Sequence, residues 1–314
     1  MLPLKKKVVA TSRKIRTNRT FVVTHLEAMD VFLVGGDNES FPCCLCIWNA
    51  KTLTKIKKLH AHLYAFDKIL HIKDMNLILT GGNDHYIRVW NLQFKCLQSF
   101  EHSKLVKDFE VIEDKLLSCG NFENIRVWNL KTMKFATLIN TDNKSGFNRL
   151  KYVPKHNRIL TSNTESNEIW VFAWPSKELL QKIALPTEHN GIEQLRYYDQ
   201  RDEIVIGGGI DSNLLIWNFV DSSKLKEVGS FLGLKKIIKS KVSSMLLLQD
   251  RDLLLLTTAD SVQFIFSYKT QELLAVSPLK PFCQHELVYI DKRNLLVCFS
   301  IFRGFVSFQR FKSN

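Results

Sequence analysis

Three thiols fall within four positions of the chain, Cys43, Cys44 and Cys46. Closely spaced thiolates are what a zinc or iron–sulfur site requires. No second CxxC and no HxxxH lies nearby to complete a tetrahedral set, and the stretch reads as a strand. Side chains alternate along a strand, so Cys44 and Cys46 share one face and Cys43 takes the other. The expectation is packed thiols without a metal. With seven Cys and no paired spacing, a reducing intracellular compartment, cytoplasmic or nuclear, is expected. Other chemistry is sparse. GGGIDSN at 207–213 is rich in Gly but reads as a turn between strands, and neither HExxH nor GxSxG occurs. No cofactor and no catalytic residue is expected.

The elements that carry these residues repeat. LCIWNAKT at 45–52, IRVWNL at 87–92, IRVWNLKT at 125–132 and LLIWNF at 214–219 each alternate apolar positions, then place Trp, Asn and a turn. Copies with Phe for Trp lie at 169–174, 263–270 and 305–311. The key positions Trp48, Trp90, Trp128, Phe172, Trp217, Phe266 and Phe308 are 42, 38, 44, 45, 49 and 42 residues apart. A period near forty with four short strands per unit marks a propeller blade. The second unit shows period-two patterning over 66–72, 77–80, 86–90 and 95–100. The expected fold is all-β: a seven-bladed propeller of four-stranded antiparallel blades filling 1–314 as one domain. The seventh unit has three strands, at 286–290, 295–299 and 305–308. An open blade edge invites aggregation, so Lys6–Thr11, in the basic segment 1–20, is expected to pair with Phe305–Phe308 and close the ring.

The first 24 residues carry seven Lys/Arg and no acid, the composition of a mitochondrial presequence. The closing-strand reading competes with it and implies that the segment is retained. The apolar share of 45% supports a core, and no run approaches the ~18 residues that span a membrane. A net charge of +13 raises RNA or an acidic protein surface as a partner, although the basic residues are spread along the chain. The surplus of the longest interval falls in 229–241, where Lys235, Lys236, Lys239 and Lys241 surround Ile237 and Ile238. This segment is expected to contact a partner or to cap the fifth and sixth blades.

Across nearly its full length the chain resembles the WD-repeat β-propeller family. In that family a His near the unit's opening, a Ser/Thr in the second strand and an Asp in the following turn form a buried network with the Trp. The resemblance places His62, Thr80, Asp84 and Trp90 in that network. A buried Trp N–H needs an acceptor, which the Thr80 hydroxyl supplies, and Thr80 can donate to His62, which donates to Asp84. A His–Asp–hydroxyl set also suggests a hydrolase, but a hydroxyl inside a strand and tied to Trp is not presented to substrate. The fifth unit keeps His189, Asp211 and Trp217, with Gly207 in place of the hydroxyl. The third keeps His102 and Trp128 and has Phe122 in place of the Asp. Phe in place of Trp removes the link in three units.

The resemblance implies an interaction scaffold, not an enzyme: a subunit of a multi-protein complex that binds proteins or peptides through rim loops. His85, Tyr86 and Phe122 are candidate anchors there, with Lys235, Lys236, Ile237 and Ile238. The alternatives are a ribonucleoprotein component holding RNA through basic loops, and a substrate receptor of a ubiquitin ligase. For the last, Trp48-Asn-Ala-Lys51 and Trp128-Asn-Leu-Lys131 only loosely match the Trp-Asp-x-Arg of such receptors.

Overall fold

The structure is a computed structural model. It describes residues 9–13, 20–36, 43–121, 124–142, 145–163, 167–185, 192, 194–207, 214–219, 225–230, 237–238, 240–278, 285–290, 295–300 and 306–310.

Runs of alternating apolar residues become strands, and four consecutive strands fold into each blade. Blade 1 is β2–β5 (Thr20–Leu26, Val31–Gly36, Cys43–Asn49, Lys55–His62). Blade 2 is β6–β9 (Phe66–Ile72, Leu77–Gly82, Tyr86–Asn91, Cys96–Glu101). Blade 3 is β10–β13 (Val106–Ile112, Lys115–Gly120, Ile125–Asn129, Lys134–Ile139). Blade 4 is β14–β17 (Arg149–Val153, Arg158–Asn163, Glu168–Ala173, Leu179–Ala184). Blade 5 is β18–β21 (Gln194–Tyr198, Glu203–Gly207, Leu215–Phe219, Leu225–Ser230). Blade 6 is β22–β25 (Val242–Leu248, Leu253–Thr258, Val262–Ser267, Leu273–Pro278).

The expected count of seven blades is corrected here. Six blades, not seven, are each made from one continuous stretch of chain. The remaining strands, β26–β28 (His285–Ile290, Leu295–Ser300, Val306–Arg310), join β1 (Val9–Arg13) from the other end in a composite sheet ordered β1-β28-β27-β26. The closing pair also differs from the expected Lys6–Thr11 with Phe305–Phe308. Val9 lies opposite Arg310, Thr11 opposite Phe308 and Arg13 opposite Val306. Because β28 continues past Phe308 to Arg310, its antiparallel partner is drawn along with it. Lys6 and Phe305 lie outside the described residues.

The inner strands stand side by side around an axis. β2 packs on β6, β6 on β10, β10 on β14, β14 on β18, β22 on β26, and β26 back on β2. Gln194 Nε2 donates to Ser243 O at 3.1 Å and joins β18 to β22. Between inner and second strands the chain reverses through short 3-10 turns that end at Asp30, Asn76, Asn157 and Asp252, all with φ of 52–54°. Asp and Asn tolerate this left-handed backbone best among residues with a Cβ. At the other end of the second strand the chains approach so closely that a Cβ on Gly82 would run into Ala65 O and the Phe66 backbone.

The core is made between blades. Trp90 packs with Leu26, Val31 and Leu33 of blade 1, Trp128 with Leu77 and Leu79 of blade 2, and Phe172 with Ile112 and Leu117 of blade 3. Trp217 meets Val153 and Leu160, Phe266 meets Val205, and Trp48 meets Ile290 and Val297 of the composite sheet. A buried aromatic of this size removes about 150–250 Å² from water, roughly 4–6 kcal/mol at about 25 cal/mol/Å². Each unit therefore depends on its neighbour, and the repeat period is set by the need to bury one aromatic against the preceding blade. The thiols follow the alternation: Cys44 and Cys46 face the composite sheet with Trp48, while Cys43 faces blade 2.

Candidate functional site

The sheet geometry of blade 2 brings four side chains into one line. Thr80 sits on β7 opposite Arg88 of β8, two residues before Trp90. Trp90 Nε1 donates to Thr80 Oγ1 at 2.9 Å. Thr80 Oγ1 lies 2.7 Å from His62 Nε2, and His62 Nδ1 lies 2.7 Å from Asp84 Oδ1. Since the hydroxyl already accepts from Trp90, it donates to Nε2. His62 Nδ1–H then donates to the carboxylate.

A fifth member escapes the sequence reading. Arg88 Nη1 donates to Asp84 Oδ2 at 2.6 Å, and its guanidinium stacks 5.1 Å above the Tyr86 ring. The available signal was an Asp and an Arg four residues apart, a spacing that reads as unrelated across a turn into a strand. Asp84 also accepts from Leu63 N at 3.1 Å and Tyr86 N at 3.3 Å. Burial raises the Asp84 pKa, but the His62 hydrogen bond and the Arg88 charge more than offset that and hold it at about 2. Burial lowers the His62 pKa from 6.5, so His62 is neutral at pH 7. The side chains of His62 and Asp84 are 0% and 1% exposed. The set that resembles a hydrolase triad is closed to substrate, and its hydroxyl is tied to an indole.

Blade 3 contains a shorter version. Trp128 Nε1 donates to Ser118 Oγ at 2.8 Å, and Ser118 Oγ lies 2.8 Å from His102 Nε2. Ser118 was overlooked, although it precedes its Trp by the same ten residues as Thr80. Elsewhere the network loses parts. In blade 4, Phe172 offers no N–H and Thr161 Oγ1 is buried without a partner. In blade 5, Trp217 Nε1 likewise has no partner among the described residues. The residue in the hydroxyl's place there is corrected from Gly207 to Ile206, which lies opposite Leu215, two before Trp217. Ile206 and Leu215 are one residue further apart in sequence than the paired Thr80 and Arg88, which displaces the count. In blade 1 the same ladder position is Val34, opposite Cys46, and Trp48 Nε1 has no acceptor.

In two of the Trp-Asn endings the Asn has local work. Asn49 Oδ1 accepts from Lys51 N and Thr52 N, and Asn129 Oδ1 from Lys131 N and Thr132 N, all within 2.8–2.9 Å. These bonds tie down the turn into the outer strand.

Of the candidate contact residues, His85 and Tyr86 are half-buried on the turn that Asp84 organises, and His85 has a φ of 70°. The two isoleucines separate: Ile237 is 41% exposed, whereas Ile238 is 2% exposed in a cluster with Tyr198, Val242 and Met245. Of the two expected roles of this segment, Ile238 takes the capping one: it is buried between blades 5 and 6 and is not available to a partner. His189, Asp211, Phe122, Lys235 and Lys236 lie outside the described residues. At the opening of blade 2, within the stretch His60–Tyr64 that the sequence offers as a contact segment, Leu63 and Tyr64 are 61% and 50% exposed.

No protein-family model matches the chain. Periodic tryptophan protein 2 of Arabidopsis thaliana is 28% identical over 155 residues, 47% of this chain, and the matched segment spans only 17% of that protein. The crystal structure of the β-propeller domain of Cps50 (Swd1) from Myceliophteria thermophila matches with a TM-score of 0.81. That match covers 97% of this chain and 100% of that one at 13% identity, and is a likeness of fold alone. In its Trp-terminated repeats, its blade order and the Trp–Thr–His–Asp set of blade 2, the chain is similar to WD-repeat β-propellers, and its fold is that of a β-propeller.

Proposed function

We propose that this chain is a non-catalytic interaction platform, a subunit of a larger assembly that binds peptides or protein surfaces through its rim loops. One observation carries the reading. The buried carboxylate of Asp84 grips two rim segments at once, through Leu63 N and Tyr86 N, and the side chains of Leu63 and Tyr64 then project into solvent. The polar groups that would be needed for chemistry are used to hold an apolar pair at the opening of blade 2. Aromatic and large apolar side chains on a rigid support are the usual anchors of a protein interface. No helix among the described residues is long and apolar enough to cross a membrane.

The test is purification under native conditions of the wild type and of a Leu63→Ser, Tyr64→Ser double variant. Companions lost from the variant at unchanged melting temperature support the reading, and an unchanged set of companions refutes it. A second reading, RNA contact, draws on the outer strand of blade 1, where Lys55, Lys57 and Lys58 are all exposed. A phosphate contact there predicts binding of single-stranded RNA that weakens steeply with salt and fails in the triple Lys→Ser variant.

A further inference from the structure

A cleft of about 320 Å³ opens on the flank of the propeller between the outer strand of blade 2 and the face of blade 3. One wall is the β9 segment from Gln98 to Glu101, and the other carries Arg126, Trp128, Met133 and Phe135. Its apolar surface is prearranged. Phe100 stacks on Trp128 with centroids 4.8 Å apart, and Phe135 meets the same indole edge-on at 5.5 Å. Gln98 Nε2 donates to Met133 O at 3.1 Å and fixes the two walls to each other. Phe135 is nevertheless 50% exposed, and Leu97 on the neighbouring strand is also exposed. Phe135 thus keeps half of its surface uncovered beside the buried Phe100 and Trp128.

The blade 3 side of the cleft is basic. Residues 124–141, which supply the blade 3 wall, contain no Asp or Glu. Arg126 lies 5.9 Å above the Trp128 ring, and Lys131 and Lys134 are exposed at the turn and start of β13. Glu101 is the one acid lining the cleft. A cationic ligand is disfavoured by Arg126 against the ring face, and the volume accommodates one large side chain, not a folded surface. We infer that this cleft takes an extended acidic segment of a partner protein, with one bulky apolar side chain placed against Phe135 and Met133. Flanking carboxylates would meet Arg126 and Lys134. An apolar anchor inside a charged rim is the usual economy of such sites, the anchor giving affinity and the rim giving rate and selectivity.

This inference extends the platform reading to a second surface, and it is tested apart from the rim. The probe is a fluorescein-labelled nonapeptide of Asp and Glu with a single central Leu, read by fluorescence anisotropy on the full chain. Controls are the same peptide with Ser for Leu, and oligouridylate of equal charge. The Leu peptide should bind, and the Ser peptide should bind about tenfold more weakly, as expected for loss of one interface anchor. Phe135→Ser should cost the Leu peptide a similar factor and leave the Ser peptide unchanged. Lys134→Glu should weaken both peptides. Lys134 is exposed, so Lys134→Glu should leave the melting temperature unchanged, whereas Phe135→Ser also removes the edge-on contact with Trp128, so its effect is read as the ratio of the two peptides' affinities on the folded variant. No binding of the Leu peptide, equal binding of both peptides, or oligouridylate lost through the same variants would each overturn the assignment. Loss of companions in the Leu63, Tyr64 variant would stand in any of these cases.

Discussion

Removing the Asp84 carboxylate is the sharpest perturbation of the buried network. In Asp84→Ala the His62 Nδ1–H loses its acceptor at 2.7 Å in a site where the imidazole has no access to water. A stranded buried donor costs about 1–3 kcal/mol. Arg88 loses its 2.6 Å partner as well, but its side chain is 19% exposed and can turn toward solvent, so that part is held to about 1 kcal/mol. The sum is about 2–4 kcal/mol. At about 2 °C per kcal/mol, the low end for larger domains, the melting temperature should fall by about 4–8 °C. The matched control is Asp260→Ala in blade 6. Asp260 is exposed, and the Thr258 hydroxyl that it accepts from lies 3.1 Å from a second acceptor, Val262 O. That loss should stay within about 1 kcal/mol. Urea unfolding and calorimetry on both variants decide the matter. A loss below about 0.5 kcal/mol for Asp84→Ala, the range of an ordinary surface change, or a larger loss for Asp260→Ala, would refute the assignment.

Three further outcomes are expected. The His62 pKa lies below 6.5, so the unfolded chain takes up a proton there that the folded chain does not, and stability falls as the pH drops below 6.5. Asp84, held at about 2 against an ordinary 3.8, adds a second loss as the pH falls from 3.8 toward 2, and a melting temperature unchanged between pH 7 and pH 3 would contradict both assignments. Val34→Thr places a hydroxyl where Trp48 Nε1 has no acceptor. It should cost under about 0.5 kcal/mol in urea unfolding, against about 1–3 kcal/mol for Val127→Thr, which meets no orphan donor. Ile238→Ser should destabilise by about 2–4 kcal/mol as a buried truncation, and Ile237→Ser by under about 0.5 kcal/mol, so equal effects would show that the pair is not divided between core and solvent.

The repeat was legible in the sequence because it is written at fixed offsets, and the lock of blade 2 because the resemblance places His62, Thr80, Asp84 and Trp90 in one network. Strand alternation makes a face from every second residue. The spacing from Thr80 to Trp90 holds wherever the hairpin keeps one length, as it does again from Ser118 to Trp128. That logic failed at Gly207, because one extra residue between the paired positions moves the ladder without disturbing the motif, and only the strand register shows that Ile206 stands opposite Leu215. It also could not join Arg88 to Asp84, since whether a side chain leaving a strand turns toward the preceding turn depends on the blade face.

What the sequence by itself determined was local and periodic: the strands, their alternation, the aromatic at each third strand, and the His, Thr and Asp whose hydrogen-bonding needs match in number. The tertiary structure alone decided what neighbouring blades do to one another. It set the register of Val9–Arg13 on Val306–Arg310, which depends on where the two chain ends meet. Ile238 went into the cluster between blades 5 and 6 while Ile237 stayed in solvent. The cleft came from setting Phe100 beside Trp128 and Phe135. Such contacts join residues of different repeats, and no spacing within one repeat encodes the angle at which the next blade is packed.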